Sequence, residues 1–294
     1  FLPDVSAGNI RVEDAPRTGG TAPRATGVGM VQKRFRHGEV DVLVFDSVED
    51  LAVRAAADAA EAVRSAAAAG TDAVNVIFAG AESQMEFHRA LAAREDIDWS
   101  RINAFAVDDF WSPGMPAACR VAAQPARDLY SRVEPRSINT VDPDAADPEA
   151  EARRYEELLR EHPPHLACIG IGVSGHLALN EPGACRFDDE RLVRVAELCP
   201  DSVRQLESDP NFRDLPAIPR TGITCTVPAL LAAPRVLAVV PYGIKAPVIR
   251  RFFESPVGEE LPATALKDKP GSALYLDADS FAESRCLGAA LGGA

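Results

Sequence analysis

The chain is 294 residues long, 47% hydrophobic and 26% charged, with a formal net charge of −13. That length buries a substantial core, and the acidity excludes a duplex-binding surface, which must set clustered Lys and Arg against phosphates. It also disfavours anionic membrane faces, whereas a small anionic substrate stays open because a few local cations dominate a cleft.

Residues 1–38 are rich in Gly, Pro, Arg and Thr and read as a surface arm or disordered tail; residues 39–294 read as one α/β domain. The chain opens on Phe1, not Met, which leaves the native start open. From Val40, apolar β-rich runs alternate with Ala-rich helical stretches. Asp41–Phe45 is predicted as a strand, and Ser47 caps a helix from Val48 to Ala69 that Gly70 ends. A strand at Ala73–Ala79, a helix at Gln84–Arg94 and a strand at Ile102–Val107 follow. A helix at Asp147–Glu161, then strands at Leu166–Gly170, Thr221–Val227, Arg235–Val240 and Ala273–Leu276, with a helix at Lys245–Glu254, complete the pattern. Apolar strands alternating with helices predict an α/β fold, a mostly parallel sheet covered on both faces. The long connections from Trp111 to Asp147 and from Pro182 to Pro219 are expected to wrap or cover the site.

The six cysteines, at 119, 168, 185, 199, 225 and 286, form no CxxC pair. They read as ordinary thiols of a reducing, cytoplasmic compartment, with Cys168 and Cys225 in the core. No apolar run spans a bilayer and no secretory signal is evident.

Ligands of open α/β sheets bind beyond the carboxyl ends of the strands. Following the predicted strands in order, those ends carry Gly80-Ala81-Glu82-Ser83, then Asp108-Asp109-Phe110, then Ile171–His176 with Asn180-Glu181-Pro182, then Gly243-Ile244-Lys245. A strand-to-helix turn offers free amides and a positive dipole end to a phosphate. A partly desolvated carboxylate exchanges a carbon-bound proton, and a histidine with a carboxylate partner moves protons to and from oxygen. Singly, each piece is ordinary: a βα connection, a helix cap, a surface histidine, a solvated lysine. Together on one edge they point to a site.

Gly170–Pro182 (GIGVSGHLALNEP) closely resembles the central signature of the glucosamine-6-phosphate deaminase/isomerase family, commonly GxGxDGHxAFNEP. Asn103–Pro116 and the segments Thr221–Leu231, Val236–Lys245 and Leu261–Asp277 look like further segments of that family, so the resemblance covers residues 40–280. Phosphogluconolactonases share the Gly-His but lack the Asn-Glu-Pro. The resemblance implies a Rossmann-like three-layer sandwich and conversion of an amino-sugar 6-phosphate to a ketose 6-phosphate with ammonia release. It implies no metal, no cofactor, and a small-molecule sugar phosphate as the partner; it leaves a homo-oligomer open. Asp108 matches the proton-transfer aspartate, His176 the ring-opening histidine, Glu181 its partner, and Lys245 a phosphate-binding lysine. Gly80, Ala81, Ser83, Asp109, Gly172, Gly175 and Arg204 complete the expected substrate-binding set, the family's phosphate-binding arginine falling near Arg204 or Gln205. Ser174 stands where the family carries an aspartate that orients the histidine, and brings no charge. Glu82, in the expected phosphate loop, would repel a phosphate if it pointed inward. A non-catalytic sugar-phosphate-binding homologue, or an isomerase of a different sugar, are the alternatives.

Overall fold

The computed structural model describes residues 30–213 and 215–285. The eleven strands among them are β1 (Val31–His37), β2 (Val40–Phe45), β3 (Val74–Phe78), β4 (Ile102–Ala106), β5 (Asp108–Phe110), β6 (Ser137–Asn139), β7 (Leu166–Ile169), β8 (Val193–Glu197), β9 (Thr221–Cys225), β10 (Arg235–Val240) and β11 (Ser272–Asp277). The helices are α1 (Val48–Ala68), α2 (Met85–Ala92), the one-turn α3 (Ala123–Pro125), α4 (Pro148–Glu161), α5 (Pro200–Ser208), α6 (Val227–Leu231) and α7 (Ala246–Glu254).

Eight strands form the main sheet, in the order β1-β2-β11-β10-β7-β3-β4-β6. Every pairing in it is parallel except β1 with β2. Alternate residues of each strand enter opposite faces, as a period of two requires. In β10, Val236, Ala238 and Val240 join one core, with Tyr155 of α4 and Phe252 of α7. Leu237 and Val239 join the other, with Leu51, Ala55 and Ala59 of α1 and Phe87 of α2. The result is the expected three-layer sandwich. Local signals explain the helix ends. Ser47 Oγ accepts from Asp50 N at 3.1 Å to start α1, and Asp147 accepts from Glu149 N at 2.9 Å to start α4. The alanine face of α1 lets it lie close on the sheet.

A second sheet, antiparallel, has the order β5-β9-β8. It corrects the reading at two places. Asp108–Phe110 is itself a strand, not a strand end, and Thr221–Cys225 pairs with it rather than extending the main sheet. Thr226 ends that strand and caps α6. The arm expected over residues 1–38 lies outside the described residues as far as residue 29. Beyond that, Val31–His37 is an edge strand, its alternating Lys33, Phe35 and His37 paired against β2. The short strands β6 and β8 lie within the two long connections. Among the described residues no helix is long and apolar enough to cross a membrane.

Chain order reverses inside the main sheet. From β3 the chain adds β4 and β6 toward one edge, whereas from β7 it adds β10 and β11 toward the other. The switch point falls between β3 and β7, where loops leave in opposite directions and open a crevice.

Candidate active site

A cleft of about 200 Å³ opens at that switch point. Gly80, Ala81 and Ser83 reach it from the end of β3, Asp108 from the start of β5, Gly172 and His176 from beyond β7, and Lys245 from beyond β10. The connection that carries α5 covers it with Leu198, Ser202, Gln205 and Leu206, as expected of a long segment wrapping the site.

The 80–84 loop is fixed from outside the cleft. Ala81 N donates to Gln124 Oε1 at 3.3 Å, and the buried Gln84 side chain donates to Val239 O at 3.0 Å. Gln84 therefore ties the loop to the end of β10. The loop leads into a 3₁₀ turn at Glu82–Gln84 and then α2, so its first amides face the positive end of a helix. Glu82 does not point inward. Its exposed carboxylate pairs with Arg127 at 3.0 Å, and Arg127 also bridges to the buried Asp128 at 2.7 Å. The repulsion anticipated from the sequence is absent because an arginine outside the cleft holds the charge.

The adjacent aspartates have opposite roles because strand neighbours face opposite sides. Asp108 faces the cleft and is 5% exposed. Burial, with the Asp109 charge beside it, pushes its carboxyl up to about 8. Asp109, expected to bind substrate, turns away from the cleft. Its carboxylate accepts from Phe110 N at 2.8 Å, Val121 N at 3.0 Å and Ala122 N at 3.3 Å, and so folds the 120–122 turn against β5. That is a structural role, and Val121 is thereby set into the cleft wall.

His176 Nδ1 is held by two oxygens. Glu181 Oε2 lies 3.2 Å from Nδ1, and Ser174 Oγ lies 2.9 Å from Nδ1 and 3.0 Å from Glu181 Oε2. Ser202 donates to the other oxygen, Oε1. Burial alone would raise the Glu181 carboxyl, but the His176 and Ser202 hydrogen bonds outweigh it and hold it down at about 2. A carboxylate ionised at neutral pH accepts, so the network places the imidazole proton on Nδ1 and leaves Nε2 as the free base. With serine at position 174 the network carries one carboxylate, Glu181, and the serine hydroxyl bridges it to the imidazole.

Nε2 packs over Gly172, where an added Cβ would lie 1.9 Å from it. The Gly172→Ala change therefore expels the imidazole from its position while asking nothing unusual of the backbone. A displacement of that size is expected to lower turnover about 100-fold with little change in Tm, measured by assay and thermal denaturation side by side. Gly175, also expected at the substrate, serves the turn instead. Its φ is +97°, and a Cβ there would meet Leu261 Cδ1 at 2.1 Å.

Lys245 lines the cleft with no ion-pair partner among the described residues. Burial lowers its ammonium to about 8. An unpartnered, partly buried cation beside the turn into α2 suits an anion. The preceding Tyr242 adopts φ 79° and ψ 143°, a conformation that costs a non-glycine residue about 1–3 kcal/mol. Arg204, expected to hold the phosphate, does not line the cleft. It is exposed on the outer face of α5 and pairs with Asp201, while its neighbour Gln205 lines the cleft.

Ser202 and the apolar residues Val121, Leu179, Leu198 and Leu206 escaped the sequence reading; with Phe110 they form an apolar wall. Ser202 lies 21 positions from Glu181, inside a connection with no motif, so only the folded chain brings it to the carboxylate.

A family model described as glucosamine-6-phosphate isomerases/6-phosphogluconolactonase matches residues 46–275. The chain is 29% identical over 197 residues to a glucosamine-6-phosphate deaminase of Streptococcus suis, 66% of this chain and 81% of that protein. It is 32% identical over 158 residues to a glucosamine-6-phosphate deaminase of Exiguobacterium sp., 54% of this chain and 59% of that protein. A solved monomeric glucosamine-6-phosphate deaminase superposes with a TM-score of 0.72 at 21% identity, covering 82% of this chain and 99% of its own. A 6-phosphogluconolactonase from Thermotoga maritima superposes with a TM-score of 0.62 at 19% identity, covering 80% and 98%. At such identities the two solved structures speak to the fold alone. With the family match spanning most of both sheets and every loop of the cleft, the chain belongs to the glucosamine-6-phosphate isomerase/6-phosphogluconolactonase family.

Proposed function

We propose that the chain is an amino-sugar-phosphate deaminase, converting glucosamine 6-phosphate or its galacto epimer to the ketose 6-phosphate with release of ammonia. One observation carries this reading within the family: the cleft holds two separate proton carriers, Asp108 and the Glu181-supported His176. Lactone hydrolysis needs protons moved between oxygens only. An aldose–ketose conversion also needs a base for a carbon-bound proton, and a buried carboxylate with a raised affinity for protons is matched to that task. The relatives' names point the same way.

In this reading the phosphate lies against the Gly80–Ser83 amides and Lys245. His176 Nε2 takes the anomeric hydroxyl proton and returns it to the ring oxygen, opening the ring. Asp108 takes the C2 proton and delivers it to C1, while one proton of the C2 ammonium passes to O1, which becomes the C1 hydroxyl. The resulting C2 iminium adds water and expels ammonia, leaving the C2 ketone. The imidazolium formed on the way is stabilised by the Glu181 carboxylate at 3.2 Å.

Ammonia release from glucosamine 6-phosphate, measured beside hydrolysis of 6-phosphogluconolactone, tests the assignment. Lactone hydrolysis without ammonia release would overturn it, and so would binding with neither reaction. Lys245→Ala is expected to raise KM for the phosphorylated sugar about 10- to 100-fold, the worth of a charge-assisted hydrogen bond. The same change should barely affect binding of glucosamine itself; equal losses for both sugars would make the lysine structural.

A further inference from the structure

Among the described residues only Ala178 and Tyr242 have a positive φ without being glycine. Ala178 lines the cleft at φ 51°, a left-handed helical value that a small residue tolerates. Tyr242 is more demanding, because φ 79° with ψ 143° is a region kept almost wholly for glycine. A bulky aromatic stays there only where its surroundings hold it.

Asp277, at the carboxyl end of β11, does the holding. It is buried, and both of its carboxylate oxygens lie 3.2 Å from Tyr242 N. Oδ1 also accepts from Ser280 N at 2.8 Å, and Asp277 N donates to Ser280 Oγ at 3.1 Å, so the carboxylate cannot swing away. On the other side, Lys245 N donates to Tyr242 O at 2.9 Å. The plane of the Tyr242 backbone thus sets the Gly243–Lys245 turn, which presents Lys245 to the cleft.

We propose that Asp277 is a positioning residue for the anion site: its grip on the strained Tyr242 amide holds the Gly243–Lys245 turn so that the lysine faces the cleft. Without the grip, Tyr242 relaxes to negative φ and the turn carries Lys245 outward. This rests on the reading of Lys245 as a phosphate ligand only for its effect on catalysis, since the placement of the lysine is measurable by itself.

The chain has four lysines, Lys33, Lys245, Lys267 and Lys269. Reductive methylation with carbon-13 therefore gives few signals, and Lys→Arg variants assign them. In the wild type the Lys245 signal should titrate well below the exposed amines. Asp277→Asn leaves one oxygen for two amides, so the Lys245 titration should move toward the ordinary lysine value of about 10.4. Adding Tyr242→Gly, which removes the steric penalty of the turn, should return it toward the wild-type value. An Asp277→Asn protein with an unchanged Lys245 titration overturns the proposal, as does a double variant no nearer the wild type than Asp277→Asn. In kinetics, Asp277→Asn should raise KM for glucosamine 6-phosphate about 10-fold or more with kcat nearly kept. Inorganic phosphate binding to Lys245→Ala decides separately whether the lysine is a phosphate ligand: binding equal to wild type would end that reading and leave the titration result standing.

Discussion

The Asp108→Asn variant is expected to lose about two to four orders of magnitude in kcat on glucosamine 6-phosphate, the range for removing a positioned acid–base group. KM should change little, because asparagine keeps the shape of a side chain that accepts no hydrogen bond from another described residue. The pH dependence gives a second, independent reading. Asp108 acts as a base only when ionised, and burial with the Asp109 charge puts its carboxyl at about 8. The wild-type kcat/KM should therefore fall as pH drops below that value, by about tenfold per unit. Above it, Lys245 loses its charge, since burial lowers that ammonium to about 8 as well. The profile should be bell-shaped with its maximum near these two values, and Asp108→Asn should erase the acid limb. Stability carries the opposite sign. A carboxyl whose proton affinity is raised by folding holds a proton that the unfolded chain has released, so native stability falls as pH rises from the unfolded value toward about 8. Asp108→Asn should thus gain in Tm over wild type, and the gain should widen across that window. Unchanged turnover in the variant would remove Asp108 from the chemistry.

Glu181→Gln is expected to cost about 10²–10⁴ in kcat through the histidine it orients. The carboxylate accepts from Nδ1, from Ser174 and from Ser202, three donors on two oxygens. A glutamine offers one oxygen and one NH₂ group. Its amide hydrogens would face Nδ1 or a serine, drive the imidazole proton to Nε2, and take away the base that opens the ring. Ser174→Ala should cost less, because it leaves the Glu181 carboxylate and the Ser202 donor in place. The acid stability limb offers a check on the charge itself. The Glu181 carboxyl is held at about 2, below its unfolded range, so its contribution is present above that range and is lost as pH falls toward about 2. The Gln variant, lacking that group, should lose less stability than wild type over the same fall. A Gln variant with wild-type turnover would mean that the histidine needs no carboxylate.

The sequence determined the layers, most helix ends and the chemistry-bearing residues of the cleft. It did so because those signals are local: near-continuous apolar runs for β3, β7 and β10, hydroxyl and carboxylate caps at Ser47 and Asp147, and a compact His176–Glu181 motif on one connection. It also placed Gly80, Ala81, Ser83, Asp108, Gly172, His176 and Lys245 on one edge, since a parallel sheet puts the residues after its strands on the same side. Tertiary structure decided what depends on side-chain direction and on distant partners. Asp109 and Asp108 differ only in the face of a three-residue strand, and that face is set by pairing with β9 across more than a hundred residues of chain. Glu82 is harmless because Arg127 stands outside the cleft to receive it. Arg204 faces solvent and Gln205 the cleft because α5 is rotated by its own apolar contacts, not by any local signal. Ser202 reaches Glu181, and Asp277 reaches Tyr242, only when the sheet has closed. The charge missing at Ser174 was legible as a substitution; that the serine hydroxyl bridges His176 and the buried Glu181 could be decided only by the distances among three side chains in the folded protein.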